Sequence, residues 1–171
     1  MASSQIPISG EVGVDFDERV AGTGTSFDEG NQFALGTCAK GSDGTEYIYV
    51  HAGAAITLWD CVAIDENFEA VAMTTTLAQA GHQVGFAQAA FADNEFGWVC
   101  LRGSNIRCRA AAACAPDVAL FTSATAGVLD DDSTTTREGI VGVVAIVTAT
   151  ATGANAGNVE VLATWPHAAS P

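Results

Sequence analysis

From Phe33 onward the chain is a succession of short apolar segments, rich in β-branched and aromatic residues, that are separated by Gly, Asp and Asn turns. This spacing is typical of β-sandwiches and β-barrels, because each strand crosses a sheet once before the chain turns back. We therefore expect an all-β fold, a compact β-barrel or β-sandwich. The pattern predicts strands at 33–39, 46–50, 55–64, 68–73, 84–91, 96–102, 105–110, 117–123, 139–149 and 158–165.

Three local signals add detail to this pattern. Asp43-Gly44 stands just before the strand at 46–50 and predicts a hairpin, because both residues tolerate positive φ. The Ala-rich stretches at 74–81 and 109–114 each predict a helical turn, which Pro116 would end in the second case.

The last two predicted strands differ in how their apolar residues are distributed. The run GIVGVVAIV at 139–147 is apolar on both faces, which is typical of a central strand covered on each side by the core or by a neighbouring subunit. The segment at 158–165 alternates instead and should be half buried. Its predicted inner face consists of Val159, Val161, Ala163 and Trp165.

The first 30 residues have a different character from the rest and are rich in Gly, Ser, Thr and acidic residues. Their apolar residues fall at even intervals, which suits an extended N-terminal arm that lies along a neighbour as an added strand. A flexible N-terminus without a fixed contact is the alternative. We divide the chain into an arm at 1–30 and a β-domain at 31–171. The predicted interface residues of the arm are Ile6, Ile8, Val12, Val14 and Phe16.

The charge is strongly unbalanced, with 20 acidic residues against 6 basic ones and a formal net charge of -14. Such a field repels phosphate backbones and anionic lipid heads, so neither a nucleic acid nor a membrane is expected as a partner. The acidity serves solubility or docking on a positively charged protein. With no signal-peptide pattern and no apolar run of transmembrane length, we expect synthesis in the cytoplasm.

Three consecutive carboxylates, Asp130, Asp131 and Asp132, raise the question of a metal site. An EF-hand loop that starts at Asp130 needs Gly at its sixth position and Glu at its twelfth, but Thr135 and Val141 stand there. We expect a solvated turn between two strands, and a looser cation site stays open.

Other chemical signals are missing from the sequence. The five cysteines form no CxxC pair, and Cys61 and Cys100 lie in apolar runs and read as small buried hydrophobic residues. The three histidines have no metal-ligand spacing, and there is no nucleophile elbow or dinucleotide fingerprint. We therefore assign no catalytic, cofactor-binding or metal-binding residue, although a triad of distant residues is recognised only by geometry.

The stretch from Gly81 to His167 carries a family resemblance that covers roughly half to two-thirds of the chain. It contains AGHQVGFAQAAFADNEFGWVCLRG, an AP dipeptide before an apolar strand, LFTSATAGVLDDD, IVGVVAIVTAT and GNVEVLATWPH. This series resembles small structural proteins of tailed bacteriophages, in particular head decoration proteins, which are also called capsid cement proteins. LFTSATAGVLDD followed by I-x-G is the most specific part.

The resemblance implies a function. Proteins of this family look like compact β-barrels or β-sandwiches that bind the outer surface of the expanded head, often as trimers, without catalysis. The implied partners are the major capsid protein and other copies of the chain, and the implied location is the outside of the virion. Two alternatives remain: a tail, fibre or vertex-associated binding module that binds glycans through Trp59 or Trp98, and a hydrolase.

Overall fold

The computed structural model describes residues 14–22, 32–111, 114–133, 136–146 and 157–169. Within these ranges the chain forms eleven strands and one short helix, and the all-β prediction is confirmed. No helix in this part of the chain is long and apolar enough to span a membrane. The elements are β1 (Arg19–Ala21), β2 (Cys38–Lys40), β3 (Glu46–Ala52), β4 (Cys61–Ile64), β5 (Glu69–Ala72), α1 (Thr75–Gln79), β6 (Gln83–Phe86), β7 (Glu95–Ala110), β8 (Ala119–Thr122), β9 (Leu129–Asp130), β10 (Gly139–Ala145) and β11 (Gly157–Ala169).

The strands pair into one mixed sheet that closes on itself through β7. The first half of β7 completes a circuit with β3, β5, β4 and β6, which we call the N-terminal ring. The second half completes a circuit with β11, β10, β8 and β9, which we call the C-terminal ring. Closure leaves few free strand edges, since most strands have a partner on both sides.

One strand, β7, replaces the two that were predicted at 96–102 and 105–110. Gly103 and Asn105 have positive φ values of 144° and 59°, which bend the strand without ending its pairing. A Cβ atom on Gly103 would lie 2.5 Å from Cγ2 of Thr45, so this position requires glycine. The two predicted strands are thus halves of one bent strand.

Other boundaries also differ from the predictions. The strand predicted at 55–64 begins only at Cys61, because the preceding residues form a turn in which Trp59 has a φ of 69°. Ile56 in that turn makes only an isolated bridge to Phe91, beyond the end of β6. Residues 32–37 form bends and turns ahead of β2. The short strands β1 and β9 were not predicted.

The hairpin and the helical turn at 74–81 are confirmed, whereas the stretch at 109–114 begins with two residues of β7 and not with a helix. β2 and β3 form an antiparallel hairpin whose turn contains Gly44 with a φ of 83°. The helix α1 lies within the Ala-rich stretch and is capped by Thr74, whose side chain accepts a hydrogen bond of 3.2 Å from the Leu77 N–H. Such a cap satisfies one of the free N–H groups at the start of a helix.

The buried side chains form two clusters. The alternation along β3 sends Tyr47 and Tyr49 into the larger cluster and Ile48 and Val50 into the smaller one. The β4 strand likewise divides its side chains between the two clusters. Both faces of these strands are therefore buried. The C-terminal ring contributes to the larger cluster alone, through residues such as Cys108, Leu120, Leu129, Ile140, Val143 and Val161.

The predicted arm contributes to this same fold where it is described. Val14 and Phe16 are buried in the larger cluster, and the Phe16 ring stacks on Tyr47 with the centroids 4.1 Å apart. The β1 strand pairs with β7. Ile6, Ile8 and Val12 lie outside the described residues, so their contact with a neighbour stays a prediction.

Candidate functional site

One surface of the C-terminal ring exposes a group of large apolar side chains. They are the large hydrophobic residues most open to solvent in the described part of the chain, and each belongs to β10, to β11 or to the residue that follows β10. Contiguous apolar surface of this kind marks contact sites in soluble proteins. We call it the β10–β11 face: Val141 (47% exposed), Val144 (36%), Ile146 (41%), Leu162 (42%) and Trp165 (68%).

The antiparallel register of β10 and β11 brings these side chains together. Val144 lies directly opposite Leu162, and the Ile146 N–H donates a 2.8 Å hydrogen bond to the Glu160 carbonyl oxygen. Opposed side chains on one face of a sheet lie in contact distance. The exposed Ala119 of β8 pairs with Val144 on its other side, so the face crosses three strands.

A bulge places Trp165 on this face. Val141 pairs with His167 and Val143 with Ala163, so Gly142 alone lies opposite three residues of β11. Bulges of this kind redirect side chains. Gly142 has a φ of 80°, and a Cβ atom there would lie 2.7 Å from the Trp165 carbonyl oxygen, so the bulge depends on glycine.

The prediction that Trp165 shares the inner face of β11 is therefore wrong. Val159, Val161 and Ala163 are buried as predicted, and the alternation fails only at the bulge. Because the extra residues shift the pleat, Trp165 turns outward. The prediction that β10 is a central strand is confirmed, since it lies between β8 and β11. Its cover on both faces is not, because Val141 and Val144 are exposed, and cover by a neighbouring subunit stays a prediction.

The Trp165 ring is held by a cation. The guanidinium carbon of Arg102 lies 4.0 Å from the ring centroid, and Arg102 is itself paired with Glu46. A guanidinium over an indole is attracted by the negative face of the ring. The exposed indole is thus oriented before any partner arrives.

A second ion pair borders the face. Arg107 on β7 lies opposite Glu160 on β11, and its guanidinium is 2.7 Å from that carboxylate. Both side chains are partly exposed. The face is consequently an apolar strip with arginine side chains along one margin.

Two of the three consecutive carboxylates are held by contacts with other parts of the chain. An Asp130 oxygen lies 2.5 Å from the Arg137 guanidinium, and Asp131 accepts a 2.8 Å hydrogen bond from the Ala115 N–H. Only Asp132 is mostly exposed, 3.7 Å from Arg137. The expected solvated turn is thus a turn anchored by an ion pair. Among the described residues there is no group of three or more His, Cys, Asp or Glu residues arranged to hold a metal ion.

A buried ion pair fixes the turn between the two rings. The Asp60 carboxylate lies 2.5 Å from the Arg109 guanidinium and accepts a 2.9 Å hydrogen bond from the Thr57 N–H. Gly127 packs against it, with the position of a Cβ atom only 2.3 Å from the Asp60 carboxyl carbon. These contacts tie β4 to β7 and to the turn before β9, and they have a structural role.

The tryptophans predicted as a glycan platform lie elsewhere. Trp98 is buried in the larger cluster, where it meets Tyr49 edge-on, and Trp59 is partly buried. Trp165 alone among the three is mostly exposed. The alternation in the sequence indicated which tryptophans lie in or near strands. It did not indicate the register, which decides whether a side chain points to the core or to solvent.

A small cleft of about 140 Å³ contains several ionisable side chains. Asp65, Glu69 and His82 line it together with Ala63, Val71 and Leu77. The Asp65 carboxylate already accepts hydrogen bonds from two N–H groups of its own turn. No Ser, Thr or Cys is among these lining residues, so the cleft as described has no hydroxyl or thiol nucleophile.

The cysteine predictions are confirmed for Cys61 and Cys100, which are fully buried. Burial raises the pKa of both thiols far above the usual value. It also raises the pKa of Cys114, to about 11. Cys38 is the exposed thiol among the five. Thiolates are the reactive form, so the buried thiols are chemically protected.

Comparison with known proteins does not assign the chain to a family. No model of a known protein family matches the chain, and no curated protein matches it.

Proposed function

We propose that this chain is a structural virion protein that binds the outer surface of a bacteriophage capsid and stabilises the expanded head. The observation that carries the proposal is the β10–β11 face, a strip of exposed apolar side chains on an otherwise acidic, closed β-fold. A chain that leaves such a strip open is suited to assembly with other proteins.

The stabilisation of a shell adds up over all the copies that bind it. A decoration protein strengthens a shell because each copy that binds only the assembled form shifts the equilibrium towards that form. Small contributions multiply over many symmetry-related copies. The resemblance of the region from Gly81 to His167 to head decoration proteins supplies the identity of the shell, and the major capsid protein is then the partner.

A non-catalytic role agrees with the cleft chemistry. Two of the carboxylates are paired, Asp65 with backbone N–H groups and Asp130 with the Arg137 guanidinium. Such pairing stabilises turns. We accordingly assign the exposed surface, and no pocket, as the functional part of the molecule.

The number of copies in purified particles tests the proposal. Quantitative gel or mass spectrometry of virions should give a ratio near one copy of this chain per capsid subunit. A handful of copies per particle would instead identify a tail, fibre or vertex component and overturn the proposal.

Glycan binding is the second candidate, and the exposed indole of Trp165 favours it. Sugar rings stack on exposed indoles, and here one face of the indole is already covered by Arg102. On a glycan array, signals that disappear with Trp165→Ala and persist with Trp59→Ala would support this role. An array without signals above background would exclude it for the glycans printed.

A further inference from the structure

We propose that the β10–β11 face is the contact between copies of this chain, with Trp165 as its anchor. Its place between neighbouring copies on a shell rests on the proposed function. The contact itself belongs to the isolated protein and is tested there.

Electrostatic repulsion limits where two copies of this chain can meet. Each copy has a formal net charge of -14, so two copies repel wherever their carboxylates approach. Glu160 is the sole acidic residue of β10 and β11, and its carboxylate is paired with Arg107. The β10–β11 face is therefore a surface on which two such acidic molecules can meet with little repulsion.

The margin of the face is close to neutral, whereas the chain as a whole is acidic. The chain has 6 basic residues, and Arg102 and Arg107 lie along this margin, paired with Glu46 and Glu160. A basic partner therefore gains no net attraction at the face and fits the acidic remainder of the molecule better. The face and the acidic surface thus suit different partners, another copy and a positively charged protein.

Trp165 is held in position before any contact forms. Trp and Arg are enriched among the few residues that dominate the binding energy of protein contacts. The Gly142 bulge and the Arg102 guanidinium already fix the outward position of Trp165. An anchor held in place before binding loses little conformational entropy on association.

The experiment measures the molar mass of the purified full chain by sedimentation equilibrium over the micromolar range. We expect the wild type to associate. Leu162→Glu and Trp165→Ala should each raise the dissociation constant at least about 30-fold, the effect of removing an interface hot spot. The matched control is Thr76→Glu, which adds the same charge at an exposed position of α1 and should leave the dissociation constant unchanged.

Circular dichroism and melting curves verify that each variant is folded. A folded wild type that is monomeric throughout this range would overturn the proposal, as would Leu162→Glu with the wild-type molar mass. A monomeric wild type whose binding to heads is lost in Leu162→Glu would assign the face to the capsid instead, and also overturns it.

These results are independent of the copy-number test. Association that Leu162→Glu abolishes, in a chain that is absent from particles, would refute the virion role alone. A chain present at one copy per capsid subunit, yet monomeric in solution, would refute the self-contact alone.

Discussion

The two rings of the molecule use similar apolar strands in different ways. In the N-terminal ring, β3 and β4 bury both faces, with alternate side chains in the two clusters. In the C-terminal ring, β10 buries Val143 and Ala145 but exposes Val144 and Val141. Strands with two buried faces hold the fold, whereas a strand with one exposed apolar face has surface left for a partner. We infer that assembly is a property of the C-terminal ring.

The largest expected difference in stability lies between substitutions of the two tryptophans, one in each ring. Trp98→Ala should lower the free energy of unfolding by about 3–5 kcal/mol, since it empties a well-packed core site. Trp165→Ala removes an exposed ring and should cost about 1 kcal/mol or less. Denaturant unfolding at one fixed protein concentration compares the two. Equal losses would contradict the division into a core ring and a contact ring.

The buried and exposed ion pairs give the second comparison. Asp60→Asn leaves the Arg109 guanidinium without its carboxylate in a buried site and should cost about 3 kcal/mol. Glu160→Gln affects a pair that is partly exposed, and should cost at most about 1 kcal/mol. The shift in urea midpoint is the measurement. A larger loss for Glu160→Gln would mean that the rim pair, and not the buried one, holds the fold.

Substitutions at two glycines with positive φ test whether the bulge orients Trp165. Gly81→Ala places a methyl group in open space, so it should cost only the backbone strain, about 1–2 kcal/mol. Gly142→Ala adds a clash with the Trp165 carbonyl oxygen and should cost more. It should also change the acrylamide quenching of the exposed tryptophan, which Gly81→Ala should leave as it is. Unchanged quenching in folded Gly142→Ala would show that the bulge does not orient Trp165.

The smallest effect concerns thiol reactivity and leaves stability unchanged. Burial raises the pKa of Cys61, Cys100 and Cys108 far above neutral, so these thiols stay protonated and inaccessible. A thiol reagent at pH 8 should label Cys38 rapidly and label all five cysteines only after denaturation. Rapid labelling of Cys61 or Cys100 in the native protein would show that the N-terminal ring opens locally.

Patterns within a few residues predicted much of the fold. The Asp43-Gly44 turn and the Ala-rich helical turn at 74–81 depend on local chemistry, and both were found where expected. The run at 139–147 indicated a strand apolar on both faces, and its exposed face is where we place a partner.

Features that depend on register were missed. The outward position of Trp165 follows from three residues opposite Gly142, which the alternation of β11 alone does not reveal. Burial of Phe16 depends on its stacking with Tyr47, a residue far along the chain. The continuity of β7 through Gly103 likewise depends on its pairing with β11. Long-range pairing decided each case, and tertiary context often overrides local preference in strands.

Reconstitution on expanded heads that lack this protein shows whether the chain stabilises a shell and whether the β10–β11 face contributes. The temperature at which the heads release their contents is measured after adding the wild type, Leu162→Glu or Thr76→Glu at equal concentration. Wild type and Thr76→Glu should raise this temperature alike, and Leu162→Glu should raise it less, because separate copies lose the avidity of an assembled group. A wild-type protein that leaves the temperature unchanged would contradict the account.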